Sequence, residues 1–130
     1  MNTTNILPER IPAIVKVMRE SRKALGVLHQ VNTLQDGTTS ECFCVLGCIA
    51  EAYRREHPES HWEGKNGQTF YDGCSTNPSG YTLPLKVIQW ARGIHVGSPC
   101  LNDIPLYRWN DDTQKSLNEI ADMLESTLQP

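Results

Sequence analysis

The chain has 130 residues, of which 38% are hydrophobic and 21% are charged, and its formal net charge is -3. A chain of this length and composition is typical of one domain around one hydrophobic core, so we expect a single domain over residues 1–130. The negative balance argues against direct binding to a nucleic-acid duplex, which depends on lysine and arginine to neutralise phosphates.

The first predicted element is an amphipathic helix from about residue 12 to residue 24. Apolar residues recur at helical spacing on one side, and charged residues occupy the other side. Pro12 suits the first turn of this helix, and Gly26 suits its C-terminal cap.

A β-hairpin and a buried helix are expected next. Residues 27–34 favour a strand, Asp36-Gly37 a tight turn, and residues 38–43 a strand that returns antiparallel. Residues 44–55 then predict a helix that is apolar nearly all round at its start. Such a helix lies at the centre of a small domain.

Residues 57–82 keep neither a helical nor a strand period for long, and they predict a long loop. Four aromatic residues lie in this range, namely Trp62, Phe70, Tyr71 and Tyr81. A loop of this length either binds a ligand or crosses the surface with its aromatic side chains packed on the core.

Two further helices complete the expected fold. The first covers residues 83–93, with a proline near its start and a glycine at its end. The second is capped by Asp112 or by Ser116. Its buried stripe comprises Leu117, Ile120, Ala121, Leu124 and Leu128. We therefore expect an α+β fold with about four helices packed around a β-hairpin or small antiparallel sheet.

Charges of opposite sign concentrate near the two ends of the chain. Residues 10–23 carry five basic residues and one acid, and residues 111–125 carry five acids and one base. The two segments can pair side by side within one domain or between protomers, so a homo-oligomer is one open alternative.

The five cysteines form an odd set, and we expect reduced thiols. A helix that begins near Cys44 places this thiol beside free backbone N–H groups, which is a setting of cysteine nucleophiles. His29 or His95 would then serve as the base, and Asn110 or Asp111 would orient it. The apolar residues around the cysteines favour a different interpretation, in which the cysteines are small residues of the hydrophobic core.

Metal and cofactor sites are not indicated. Cys44 and Cys48 lie one helical turn apart, but the chain lacks the paired short spacings of structural zinc sites. Further ligands would have to come from Cys74, Cys100, His57 and His61. Glycine-rich phosphate-binding patterns are also missing, so we expect no metal and no cofactor. Neither a secretory signal nor an apolar run of membrane-spanning length is present, which predicts a cytoplasmic protein without membrane contact.

Trp109, Asn110 and Asp111 precede the last predicted helix. Asn and Asp at such positions are ordinary caps, but the free N–H groups of a helix start also receive polar or anionic ligands.

Two stretches resemble a family of small uncharacterised proteins from phages and actinomycetes. Phe43-Cys44-Val45-Leu46-Gly47 resembles the aromatic-Cys-x-Leu-Gly opening of a buried helix in that family. Trp109-Asn110-Asp111 together with Glu119-Ile120-Ala121-Asp122 resembles its C-terminal part. The likeness covers roughly residues 40–55 and 80–126. It implies a phage-type accessory protein, acting in the host cytoplasm on host defence or metabolism, and it implies no particular activity.

Three hypotheses follow. The first is a non-enzymatic binding or sequestering protein, phage-encoded, whose partner is a host defence component or a small nucleotide-like ligand. Its candidate ligand-binding residues are Trp62, Tyr71 and Tyr81 for stacking on a base, Arg54, Arg92 and Arg108 for phosphate, and Trp109, Asn110 and Asp111 at the polar start of the last helix. The alternative is a small cysteine hydrolase or transferase with Cys44 as nucleophile. The third is a homodimer held by its charged terminal helices.

Overall fold

The computed structural model describes residues 6–23, 29–64, 69–74, 83–93 and 115–126, together with Leu128. After a 3-10 turn (Pro8–Arg10), its elements are α1 (Ile11–Glu20), β1 (Arg22–Lys23), β2 (His29–Thr33), β3 (Thr39–Phe43), α2 (Val45–Glu56), β4 (His61–Glu63), β5 (Thr69–Tyr71), α3 (Leu85–Arg92) and α4 (Leu117–Ser126). The expected α+β class is confirmed, with four helices and small sheets among the described residues.

The predicted hairpin is present. Strands β2 and β3 pair antiparallel, with His29 opposite Phe43 and Thr33 opposite Thr39. Gly37 takes a φ of 86°, and the Asp36 carboxylate accepts the Thr38 N–H at 3.0 Å. An aspartate followed by a glycine supplies both features of this turn, because glycine adopts positive φ without a steric penalty.

Helix α1 is shorter than predicted. The helix ends at Glu20, because Ser21 is extended with a φ of -128° and a ψ of 168°. Arg22 and Lys23 then form β1, which pairs in parallel with the last two residues of β3. The prediction of a helix to residue 24 was wrong because strand pairing twenty residues along the chain overrides local helical spacing. Gly26 lies outside the described residues.

Helix α2 lies at the centre of the fold, as expected. It packs against α1, α3 and β3, and its residues from Val45 to Tyr53 are buried. Phe43 and Phe70 are buried beside it and extend the same core. In the described part of the chain, no helix has both the length and the apolar character needed to cross a membrane.

Helix α4 packs on α1 and begins with a reciprocal cap. The Ser116 hydroxyl accepts the Glu119 N–H at 3.2 Å, and the Glu119 carboxylate accepts the Ser116 N–H at 3.1 Å. The predicted stripe is buried up to Leu124. Leu128 is 43% exposed, contrary to prediction, since the helix ends at Ser126 and no longer directs this side chain toward α1.

The oppositely charged segments meet within one chain. Arg19 on α1 donates to Asp122 at 2.8 Å and also to Glu125, both on α4. Lys23 donates to the Lys115 carbonyl at 2.9 Å. The two oppositely charged segments therefore pair within one chain, and their complementarity needs no second protomer.

The predicted loop over residues 57–82 contains paired strands. His61 lies opposite Tyr71, and Trp62 lies opposite Phe70, in an antiparallel pair formed by β4 and β5. Successive side chains of a strand alternate between faces, so Trp62 and Phe70 face the core while His61 and Tyr71 lie on the other face. The pairing escaped prediction because each strand has only three residues.

Candidate functional site

A groove of about 420 Å³ opens over the sheet formed by β1, β2 and β3. Residues of β1, β2 and β3, together with the C-terminal ends of α1 and α2, form its wall. The groove is lined by Glu20, Ser21, Arg22, Val31, Thr39, Ser40, Glu41, Phe43 and Arg55. Its volume lies in the range of small-molecule sites, roughly 300–1,000 Å³.

The end of α1 determines which charged side chain lies at the groove wall. Because the chain leaves the helix at Ser21 and pairs beside β3, Arg22 lies opposite Cys42 at the sheet edge. Arg22 is exposed and lines the groove. It forms no ion pair with any residue that the structure describes.

The two carboxylates of the groove already have partners. Glu20 accepts a hydrogen bond from Arg55 at 3.0 Å. The Glu41 carboxylate lies 2.9 Å from His29 Nε2. Among the charged side chains that line the groove, Arg22 is therefore the one without an ion-pair partner in the described part of the chain.

A buried carboxylate on α2 holds Arg55 at the groove wall. Glu51 is 5% exposed and accepts hydrogen bonds from Arg54 at 2.7 Å, Arg55 at 3.2 Å and the Trp62 indole N–H at 3.0 Å. Burial raises the pKa of Glu51, but the hydrogen bonds from Arg54 and Trp62 outweigh it, so the net pKa is lowered. The hydrogen bond with Glu51 raises the pKa of Arg54. The network therefore stays ionised.

An aromatic stack supports the inner end of the groove. The buried His29 ring stacks on Phe43 with 4.7 Å between centroids, and the Trp62 ring lies 4.6 Å from His29. Trp62 also meets the edge of Phe70 at 4.9 Å. Trp62 is thus half-buried against aromatic neighbours and belongs to the support of the site.

The structure brings only some of the predicted site residues together. Trp62 and Arg54 share the Glu51 carboxylate. Tyr71 lies on the opposite face of its hairpin, and its hydroxyl donates to the Gly73 carbonyl at 2.7 Å. Arg92 ends α3 away from the groove lining. The other predicted residues, Tyr81, His95, Arg108, Trp109, Asn110 and Asp111, lie outside the described residues.

Cys44 is the N-cap of α2, as the sequence predicted. Its sulfur accepts the Gly47 N–H at 3.3 Å, and the side chain is fully buried. Burial raises the pKa of the neighbouring Cys48 thiol well above its ordinary value. The nucleophile hypothesis for Cys44 with His29 or His95 stays a prediction, and the burial of Cys44 gives it no route to a substrate in this conformation.

Among the described residues, no three histidine, cysteine, aspartate or glutamate side chains lie close enough to hold a metal ion. Cys100 lies outside the described residues, and Cys74 is exposed whereas Cys44 and Cys48 are buried.

The sequence analysis missed the residues that form the groove. Arg22 was assigned to a helix, and Glu41 and Arg55 were assigned no role. One signal was available: Glu51 is the only acidic residue between Cys44 and Tyr53, a stretch predicted to be buried. A carboxylate at such a position requires partners, because an unpaired buried charge is costly.

No protein-family model, curated protein or solved structure matches this chain. Functional inference therefore depends on the geometry and charge of the groove.

Proposed function

We propose that this chain is a non-enzymatic binding protein that holds a small, phosphate-bearing, nucleotide-like ligand in the groove. One observation carries the proposal: Arg22 is exposed at the groove and has no ion-pair partner among the described residues, while Glu20 and Glu41 each have a hydrogen-bond partner. An arginine so placed can bind phosphate in a bidentate manner.

The remaining lining suits the polar groups of such a ligand. Ser21, Thr39 and Ser40 contribute hydroxyls that donate to phosphate oxygens or accept from sugar hydroxyls. Val31, which is 37% exposed, contributes apolar surface. A few convergent polar groups beside apolar surface are typical of small-molecule sites.

The position of Trp62 outside the groove lining changes how such a ligand would be recognised. Its ring is half-buried, contacts His29, Phe43 and Phe70, and is not part of the groove lining. The proposal therefore assigns recognition to the phosphate and sugar, and the predicted stacking by Trp62 is not part of it.

The biological setting is part of the same proposal. The resemblance to small phage and actinomycete proteins supports an accessory protein that sequesters a host ligand in the cytoplasm. A host defence component is the other partner that this setting favours, and the experiment below distinguishes the two.

Native mass spectrometry of the purified protein, with nucleoside monophosphates added, tests the proposal. The variants are Arg22→Gln and the control Lys16→Gln, which removes the same charge from an exposed position of α1 outside the groove. We expect a one-to-one adduct with the wild type and with Lys16→Gln. Adduct formation should weaken roughly tenfold in Arg22→Gln, because the lost hydrogen bonds are charge-assisted.

Two results would overturn the groove assignment. One is equal binding by Arg22→Gln and the wild type. The other is an unmodified mass at every ligand concentration, which would favour a protein partner over a small ligand.

A further inference from the structure

The Glu41 carboxylate lies at the groove with acceptor capacity left for a ligand. Glu41 lines the groove, and its side chain is 56% exposed. Its Oε1 lies 2.9 Å from His29 Nε2, whereas its Oε2 has no hydrogen bond with any residue that the structure describes. An ionised carboxylate only accepts hydrogen bonds, so the groups of a ligand that suit Glu41 are O–H or N–H donors.

A buried histidine fixes the position of this carboxylate. The His29 side chain is 4% exposed, and its ring lies 4.7 Å from Phe43 and 4.6 Å from Trp62. Because the carboxylate oxygen accepts, His29 Nε2 carries the proton and donates it to this hydrogen bond. His29 therefore holds a groove side chain from within an aromatic cluster, and Glu41 needs little reordering when a ligand binds.

A second histidine–glutamate pair lacks this arrangement. His61 Nε2 lies 3.0 Å from the Glu63 carboxylate, but the His61 side chain is 55% exposed and neither residue lines the groove. An exposed pair of this kind contributes little, because solvent screens it and both side chains lose entropy. The chain thus supplies a matched control for the pair at the groove.

The spacing of Arg22 and Glu41 suits two ends of one small ligand. Arg22 lies opposite Cys42 in the sheet, and Glu41 precedes Cys42 on β3. Neighbouring strands lie about 4.8 Å apart and successive residues about 3.3 Å apart, which places the two Cα atoms roughly 6 Å from each other. Glu41 repels a phosphate, so a phosphate bound by Arg22 leaves the uncharged sugar to face Glu41.

We propose that Glu41, positioned by His29, binds the adjacent hydroxyls of a ribose, so that the groove selects ribonucleotides over deoxyribonucleotides. The inference rests on the proposed function, since the phosphate at Arg22 is the other anchor. A ribose offers two neighbouring O–H donors to one carboxylate, whereas a deoxyribose offers one. Hydrogen bonds to a charged group are stronger than those between neutral groups, so the missing donor weakens binding. Glu41 determines the specificity, and His29 is a positioning residue.

Isothermal titration calorimetry of the full chain with adenosine monophosphate and with deoxyadenosine monophosphate tests the inference. Glu41→Gln removes the charge, and His29→Phe keeps an aromatic ring while it removes the N–H donor. His29→Gln restores an N–H donor at the same position, and Glu63→Gln is the matched control. Near-ultraviolet circular dichroism establishes that each variant is folded.

We expect the wild type to bind adenosine monophosphate roughly tenfold more tightly than deoxyadenosine monophosphate. This ratio should fall to about one in Glu41→Gln and should stay unchanged in Glu63→Gln. In His29→Phe the ratio should fall roughly threefold, because the ligand must then order the carboxylate itself. His29→Gln should recover the wild-type ratio, which a purely structural role of the ring does not explain.

Equal affinity of the wild type for the two nucleotides would overturn the inference and leave the phosphate site at Arg22 standing. An unchanged ratio in a folded Glu41→Gln variant would also overturn it, and an unchanged ratio in His29→Phe would remove the role of His29. Binding of neither nucleotide would overturn the proposed function together with this inference.

Discussion

The Trp62 indole N–H donates to the buried Glu51 carboxylate at 3.0 Å, which ties the short β4–β5 hairpin to the central helix. The same carboxylate binds Arg55, a wall residue of the groove. Glu51 thus links the core, the second hairpin and the candidate site.

Glu51→Ala should destabilise the protein by about 2–3 kcal/mol. It leaves Arg54 and the Trp62 N–H without their acceptor, but the cost stays below that of a fully buried pair because the arginines reach solvent. Urea unfolding measures the change. Glu56→Ala, at the exposed end of the same helix, is the control and should stay within about 0.5 kcal/mol of the wild type.

The pH dependence of stability should also depend on Glu51. Its pKa in the folded protein lies below the ordinary value of 4.5, so its stabilising contribution is present above that value and is lost as pH falls through the folded value. Melting curves across this window should converge for the wild type and Glu51→Gln as the pH falls. A constant difference between the two proteins would contradict this account.

The packing of α1 on α4 should depend on apolar burial far more than on ion pairs. Ile120→Ala removes a fully buried side chain and should cost about 2–5 kcal/mol. Arg19→Ala breaks only exposed ion pairs, so its effect should be much smaller and should vanish at high salt. Denaturant unfolding at two salt concentrations measures the free energy of unfolding of both variants. An equal loss of stability in Ile120→Ala and Arg19→Ala would contradict the greater importance of apolar burial.

The end of α3 should require glycine. Gly93 takes a φ of 70°, and a Cβ there would lie 3.2 Å from Leu7. Gly93→Ala should cost roughly 1–2 kcal/mol for the left-handed conformation, with further cost from crowding. Gly37 also has a positive φ, but a Cβ there would have open space around it. Thermal unfolding should therefore show a smaller loss of stability for Gly37→Ala than for Gly93→Ala.

The three cysteines that are buried in the described part of the chain should resist alkylation in the folded protein. Cys42, Cys44 and Cys48 are buried, and burial raises the pKa of Cys48. Peptide mass spectrometry after iodoacetamide treatment should find these three modified only under denaturing conditions. Rapid native labelling of Cys44 would instead support the cysteine hydrolase or transferase hypothesis.

Local chemistry made parts of the fold predictable. The Asp36-Gly37 turn and the Ser116 cap with Glu119 each depend on residues close in sequence. The apolar stripe of α4 likewise marks its buried face through Leu124. Such signals are visible in one sequence because the interacting residues are neighbours.

The candidate site could not be predicted in the same way. Arg22 reaches the groove because β1 pairs with β3, twenty residues further along the chain. Arg55 and Glu20 meet across thirty-five positions. The spacing of residues in one sequence carries no information about these tertiary pairings, so the groove became visible only in the folded chain.

Nuclear magnetic resonance titration of the isotope-labelled protein with a nucleoside monophosphate tests the central claim most directly, because it locates the ligand. We expect saturable shifts of backbone amides at Ser21, Arg22, Ser40 and Glu41, with little change in α4, and a loss of these shifts in Arg22→Gln. Shifts centred away from the groove, or no saturable shift with any nucleoside monophosphate, would contradict the account.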